Sequence, residues 1–167
     1  MTYKHCKNRV VGPTDRLKVG FHEISDIVQA ETIQEVPVLH SGRQWTANTS
    51  DYTLASPEGS SYQMAASQTR TPRGKFTVVE KWEQPYWRNA TGVYIPGENN
   101  PIGEYLVILA DDKGKKVQCS IHKWPEMPFS DSDFDQGDHG TGCLRLREKD
   151  MKRMFKETKL GDTIQIQ

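Results

Sequence analysis

The stretch Ser120–Leu146 holds the residues of this sequence best suited to nucleophilic chemistry. Cys143 follows Gly140-Thr141-Gly142, and glycines on both sides of Thr141 permit backbone conformations that other residues avoid. Such freedom lets neighbouring backbone amides point at an oxyanion that develops beside a nucleophile. A histidine close to Cys143 would draw off its proton, although five histidines leave the partner open at this point. From the residues alone, Cys143 is either a catalytic thiol or a buried structural one.

The other two cysteines carry weaker signals. Cys6, Cys119 and Cys143 form no CxxC pair, and three cysteines cannot all be paired within one monomer. At least one free thiol is therefore expected. Alternation along the predicted strand Lys116–His122 turns Cys119 and its neighbours Val117 and Ile121 to the core, so Cys119 is predicted to be a packed thiol.

Short strands joined by long polar loops must position these residues. Period-two alternation or short apolar runs predict strands at Lys75–Val79, Tyr105–Leu109, Lys116–His122 and Thr163–Gln167. The sequence Asp111–Gly114 is typical of a hairpin turn between the second and third of these strands. The third strand turns Ser120 and His122 away from the core face. Three stretches are predicted to be loops: Thr46–Ser61, Gln84–Gly103 and Pro125–Gly142.

Helical signals are few. The segment Glu148–Lys159 places Met151, Met154 and Phe155 at helical spacing and stops before Gly161, a residue typical of the position after a helix. A second candidate helix is Ile24–Ile33, although its β-branched residues fit a strand equally well.

Composition limits the possible classes. A chain of 167 residues and 19.1 kDa fits one domain, with residues 1–35 as an N-terminal segment and 36–167 as the main domain. The 22 basic and 22 acidic residues balance, which argues against a nucleic-acid binder that relies on a basic surface. No apolar run approaches the ~20 residues that span a bilayer. The first residues also have no apolar signal core, so neither a membrane anchor nor a secretion signal is expected.

Three segments together resemble the L,D-transpeptidase family with the YkuD-type catalytic domain. His122, the 17 residues 123–139 and then Gly140–Arg145 resemble the family's active-site signature, with a separation at its upper limit. Upstream, Thr71–Phe76 resembles the family's TPxGxF segment, and Gly161–Ile166 resembles its closing strand. The resemblance covers about Val36 to Gln167 in consistent order.

This resemblance implies a mainly β, sandwich-like L,D-transpeptidase catalytic fold with one or two short helices. It also implies that Cys143 attacks the carbonyl between the third residue of a peptidoglycan stem peptide and the terminal D-alanine. His122 would be the base, and N–H groups around Gly142 and Cys143 would hold the oxyanion. An amine of a second stem would then resolve the thioester, giving a cross-link between two third residues. No metal or cofactor is implied.

Further site residues follow from the same resemblance. The backbone carbonyl of Lys123 would orient the His122 ring. Arg145 would contact carboxylates of the acyl donor, and the alternative is a structural ion pair beneath the loop. Trp124 belongs to a set of aromatic residues that would either wall the substrate cleft or cap a small β core.

Two positions depart from the family pattern. Gly140 occupies the slot of a serine or threonine, and Thr141 occupies the slot of the second histidine, with His139 two positions earlier. Because the second histidine shapes the acyl-donor site, this departure concerns substrate preference. Thr141 and His139 are accordingly predicted to bind substrate.

Several alternatives stay open. Water could resolve the thioester, which would make the protein a carboxypeptidase or endopeptidase, or the fold could persist as an impaired wall-binding or virion module. A zinc site at His139 and Cys143, completed by His122 and an aspartate, is disfavoured, because the spacing matches no compact ligand pair. Action at the cell wall without a signal sequence would require a processed chain or delivery by a phage.

Overall fold

A computed structural model of the chain describes residues 40–89, 92–96, 100–125 and 130–167. The predicted segment 1–35 and the candidate helix Ile24–Ile33 lie outside these residues. The elements in chain order are β1 (Gln44–Asn48), β2 (Thr53–Ala55), β3 (Ser61–Ala65), β4 (Gly74–Glu83), β5 (Trp87–Asn89), β6 (Gly92–Tyr94), β7 (Tyr105–Ala110), β8 (Lys116–Lys123), α1 (Asp131–Gln136), β9 (Leu144–Leu146), α2 (Glu148–Glu157) and β10 (Thr163–Ile166).

Eight of these strands form a closed barrel in the order β1-β10-β4-β7-β8-β9-β3-β2, and β5 and β6 form a separate hairpin. Two neighbouring pairs are parallel. β1 runs alongside β10, with Gln44 opposite Thr163, and β8 runs alongside β9, with His122 opposite Arg145. The expected mainly β fold with two short helices is confirmed, and its main sheet closes on itself.

The predicted strands agree closely with β7, β8 and β10. The strand predicted at Lys75–Val79 is longer, because β4 continues to Glu83 after a bulge between Val78 and Glu80. The bulge breaks the strict alternation on which the sequence prediction depended.

The three predicted loops contain regular structure, so those predictions were wrong in part. Thr46–Ser61 includes most of β1 and all of β2, Gln84–Gly103 includes the β5–β6 hairpin, and Pro125–Gly142 includes α1. In β1 the buried side chains are Trp45 and Ala47, which alternate with polar residues over only five positions. So short a pattern is hidden by the surrounding Thr, Asn and Ser residues.

The helix predicted at Glu148–Lys159 is α2, and it buries Met151, Met154 and Phe155 as expected. It ends at Glu157, two residues earlier than predicted. The Thr158 hydroxyl donates to the Met154 carbonyl at 2.7 Å and so satisfies an end carbonyl without a glycine.

The main core fills the barrel interior. Cys119 and Ile121 of β8 belong to it together with Trp45, Leu144 and Ile164, all of them at most 1 % exposed. Cys119 is therefore the packed thiol that the alternation predicted, and the opposite face of β8 is left for the site. Within the described part of the chain, no helix is long and apolar enough to cross a membrane.

Candidate active site

The parallel pairing of β8 with β9 brings the predicted nucleophile to β8. Ile121 pairs with Leu144 and His122 with Arg145, so Cys143, just before β9, lies beside Ser120. The Ser120 Oγ is 3.4 Å from the Cys143 Sγ. The same sulfur donates a long hydrogen bond of 3.7 Å to the Gln118 carbonyl. The half-buried thiol is therefore held against the edge of β8 by two contacts.

The His122 ring is buried and fixed in orientation. Its Nδ1 lies 2.8 Å from the Lys123 carbonyl, and the side chain is 5 % exposed. A carbonyl can only accept, so Nδ1 carries the proton and Nε2 keeps a lone pair. This is the contact through which Lys123 would orient the ring, and that catalytic role stays a prediction.

The charge state of His122 follows from its surroundings. The pKa of His122 is lowered to about 3, chiefly by burial and secondly by the nearby Arg145 guanidinium, while the hydrogen bond with the Lys123 carbonyl opposes both effects. The ring is thus neutral at neutral pH. A neutral imidazole can accept a proton, but this direction of shift does not favour a resting thiolate–imidazolium pair.

Cys143 and His122 share one region without bonding directly. Among the residues that the structure describes, the hydrogen-bond partners of the Cys143 Sγ are Ser120 and the Gln118 carbonyl, and the His122 ring is not one of them. Ser120 and His122 are two positions apart on β8 and therefore face the same side. Proton transfer from Cys143 to His122 would need either a small movement or a group that bridges them.

The turn before Cys143 depends on its glycines. Gly142 has φ +129°, and a Cβ there would come 3.1 Å from the Arg70 carbonyl oxygen. Arg70 belongs to a turn closed by a 3.0 Å hydrogen bond from the Thr71 N–H to the Ser67 carbonyl. The Thr71–Phe76 motif segment thus begins beside the turn that carries the nucleophile.

Arg145 lies close to both candidate catalytic groups. A Cβ at Gly140 would come 2.9 Å from its Nη1, so the guanidinium lies along the turn. Within the described ranges its buried Nε has no hydrogen-bond partner and its guanidinium has no carboxylate partner. Burial lowers the pKa of Arg145, and the proximity of Cys143 opposes that shift. The structural ion pair weighed for Arg145 is therefore not formed by the described carboxylates.

The predicted substrate-binding residues His139 and Trp124 form a packed cluster. Trp124 is 3 % exposed and meets Phe134 and His139 edge-to-face, with ring centroids 5.4 and 5.8 Å apart. The His139 Nε2 lies 4.0 Å from an Asp133 carboxylate oxygen of α1. Both rings thus lie beside α1, and a substrate contact by either stays a prediction.

Thr141 is exposed at the tip of the turn. Its side chain is open to solvent at the position where the family signature has a histidine, so its predicted contact with substrate also stays a prediction. No group of three His, Cys, Asp or Glu side chains in the described ranges could hold a metal ion.

Sequence reasoning missed Ser120 and the Gln118 carbonyl as neighbours of the thiol. A signal for Ser120 was present, because alternation had already placed it on the same face as His122. The parallel pairing that brings Cys143 to Ser120 links residues 23 positions apart, and no local pattern reveals it.

Residues 41–166 match the family model described as the YkuD L,D-transpeptidase catalytic domain. Comparison with curated proteins gives no match.

Solved structures of similar fold include three bacterial L,D-transpeptidases. A mutant of the Enterococcus faecium enzyme has a TM-score of 0.52 at 16% identity and covers 75% of this chain and 49% of its own. L,D-transpeptidase 3 from Mycobacterium tuberculosis, with a faropenem-derived adduct, has a TM-score of 0.54 at 14% identity, and the match covers 75% of this chain and 60% of that one. A Mycobacterium smegmatis enzyme has a TM-score of 0.51 at 15% identity, and the match covers 75% of this chain and 58% of that one.

The chain thus spans about half to three fifths of the length of these solved proteins. At such identities the likeness concerns the fold, whereas the family match extends over most of this sequence, from residue 41, just before β1, to the end of β10. On that match, the chain belongs to the family of YkuD-type L,D-transpeptidase catalytic domains.

Proposed function

We propose that the protein is a cysteine-dependent L,D-transpeptidase that acts on peptidoglycan stem peptides. The observation that carries this proposal is the pairing of His122 on β8 with Arg145 on β9, with Cys143 just before β9 and beside Ser120 of β8. A nucleophile, a permanent cation and a neutral imidazole are the groups that acyl transfer from a carboxylate-bearing peptide requires.

Acylation begins with a neutral thiol and a neutral ring. The Cys143 Sγ attacks the carbonyl carbon after the third stem residue while His122 Nε2 takes the thiol proton. The new oxyanion lies against N–H groups of the turn at Gly142 and Cys143, whose positive-φ glycine supports such an orientation. Collapse breaks the bond to D-alanine, and the imidazolium returns its proton to the leaving amine.

Arg145 is proposed to bind a carboxylate of the acyl donor. Its buried Nε has no partner among the described residues, and an incoming carboxylate would satisfy it. A planar guanidinium can bind a carboxylate through two parallel hydrogen bonds. Such binding would also place the donor within reach of Cys143, two residues earlier.

The thioester then needs an acceptor. An amine from a second stem would give the cross-link, and water would give a carboxypeptidase or endopeptidase. The absence of a hydrogen bond between Cys143 and His122, within the described part of the chain, together with Thr141 at the second histidine slot, keeps a third candidate: an impaired wall-binding or virion module. Each candidate acts on the cell wall.

Intact mass after incubation with a tetrapeptide stem, or with a carbapenem, tests the proposal. We expect an adduct on the wild-type protein, no adduct on Cys143→Ala and a much slower adduct on His122→Ala. Cys119→Ala is the matched control, since this buried cysteine should leave acylation unchanged.

The products then separate the candidates. Cross-linked dimers would identify a transpeptidase, and trimmed monomers would identify a hydrolase. An inert wild-type Cys143 would contradict the enzymatic proposal and favour the binding module.

A further inference from the structure

Ser120 is a buried hydroxyl that touches the sulfur of Cys143. Its side chain is 2 % exposed on the site face of β8, and its Oγ lies 3.4 Å from the Cys143 Sγ. The parallel register of β8 and β9 fixes this contact, because residue 120 continues the pairing of Ile121 with Leu144. Two strands, and not a loose loop, therefore hold the hydroxyl beside the thiol.

The two contacts of the sulfur differ in direction. The Gln118 carbonyl can only accept, so the Cys143 S–H donates to it at 3.7 Å. The Ser120 hydroxyl is then free to donate its own proton to the sulfur. When the thiol loses its proton, the carbonyl contact becomes unfavourable, whereas an O–H donor to the resulting anion becomes stronger.

We propose that Ser120 is a positioning residue for Cys143: its hydroxyl donates to the sulfur, holds it at the edge of β8 and stabilises its anionic form. No atom of Ser120 bonds to substrate, and the proton of the thiol still goes to His122. The catalytic consequence rests on the proposed function, but the effect on the sulfur needs no stem peptide.

The titratable groups around Cys143 keep a constant charge over the pH range in which the reactivity of its sulfur is measured. Cys119 and Arg145 interact electrostatically with Cys143, and His122 interacts with Arg145. Burial raises the pKa of Cys119 well above its usual value, and the pKa of His122 is about 3. Between about pH 6 and pH 9 these two groups stay neutral and Arg145 stays charged, so a change with pH in the reactivity of position 143 reports its own sulfur.

The experiment is the rate of iodoacetamide alkylation of Cys143 as a function of pH, read on the peptide that contains it. We expect Ser120→Ala to move the midpoint of this profile upward by about one pH unit, a size typical of one lost hydrogen bond to a charged group. At a given pH below the midpoint, the thiolate fraction at Cys143 is then about tenfold lower in Ser120→Ala than in the wild type. Higher intrinsic nucleophilicity offsets part of this, so the rate falls about threefold.

Two further variants complete the test. Ser120→Thr keeps the hydroxyl and should keep the wild-type midpoint. Ser56→Ala is the matched control, because Ser56 is also buried but its hydroxyl accepts a turn N–H of Ser60, and its midpoint should equal that of the wild type.

An unchanged midpoint in Ser120→Ala would overturn the proposal. So would an upward shift of about one pH unit in Ser120→Thr, a result that can be read even if the alanine variant fails to fold. A different result would refute the proposed function alone: the wild type is not acylated by a stem peptide, but the alkylation midpoints of the variants differ as expected. The role of Ser120 would then stand.

Discussion

The His122 ring is deeply buried and uncharged, so protonating it in the folded protein costs free energy. Its pKa is 6.5 in the unfolded chain and about 3 in the fold. As pH falls below 6.5, the unfolded state takes up the proton first, so stability decreases toward pH 3. The same burial that keeps the ring available as a base therefore makes the fold sensitive to acid.

The pH dependence of unfolding should reveal this cost. Between about pH 7 and pH 4 we expect the wild type to lose about 3 kcal/mol more free energy of unfolding than His122→Gln. Urea titrations of both proteins at the two pH values measure the difference. Equal losses would show that the ring can be protonated without cost in the folded state.

Gly142 is a second residue whose chemistry is set by its backbone. An alanine there would have φ +129° and a Cβ 3.1 Å from the Arg70 carbonyl. We expect Gly142→Ala to slow acylation of Cys143 about 100-fold, because a displacement near 1 Å has effects of that order. Mass spectrometry over time measures the rate.

Gly59→Ala is the control for backbone strain alone. Gly59 also has positive φ, +91°, but open space surrounds its Cβ direction. It should cost about 1 kcal/mol or more in stability with acylation unchanged. Similar slowing in both variants would mean that strain, and not the turn at Cys143, controls the rate.

At the scale of elements, α1 packs against Trp124, just after β8. The Ser130 hydroxyl accepts from the Asp133 N–H, the Asp133 side chain accepts from the Ser130 N–H, and Phe134 is fully buried against Trp124. Arg147 also pairs with Asp131 and Asp135 of the helix. Since the helix has only six residues, its cap, its one buried side chain and these ion pairs hold it in place.

Removing the cap should loosen this element. Ser130→Ala is expected to lower the free energy of unfolding by about 1 kcal/mol and to speed amide exchange in α1. Gln136→Ala, an exposed change at the other end of the helix, is the control and should leave both measurements unchanged. Exchange in α1 as slow as in the wild type would indicate that Phe134 and the Arg147 ion pairs anchor it without the cap.

The elements also show what the sequence could predict. Strands with apolar runs or clear alternation, β7, β8 and β10, were predicted within a residue or two, as were α2 and the core position of Cys119. Short elements such as β2 and α1 were missed, since three to six residues carry too little periodicity. The thiol's contact with Ser120 depends on pairing between distant strands, which no local pattern encodes.

For the whole molecule, Asp162 joins the two ends of the barrel. Its buried carboxylate accepts from Trp45 Nε1 at 3.0 Å and from the Lys159 N–H at 3.0 Å, and it pairs with Arg43 at 3.1 Å. The loop before β10 is thereby tied to β1. This network fixes the register in which the sheet closes.

Breaking that network should destabilise the entire fold. Asp162→Ala leaves the Trp45 N–H and the Arg43 guanidinium without this partner, and we expect a loss of about 3–5 kcal/mol in the free energy of unfolding. Thermal unfolding measures it, with the exposed turn residue in Asp112→Ala as the control. A loss under about 1 kcal/mol would mean that closure depends on strand pairing alone.

The position of β10 has a consequence for synthesis. This strand lies between β1 and β4. Gln44 of β1 can therefore pair with Thr163 of β10 only after β10 has been synthesised. During synthesis, the hydrogen-bonding edges of β1 and β4 that pair with β10 therefore stay unpaired until β10 has been translated. Shielding of these edges by a chaperone in that interval would protect the chain from aggregation.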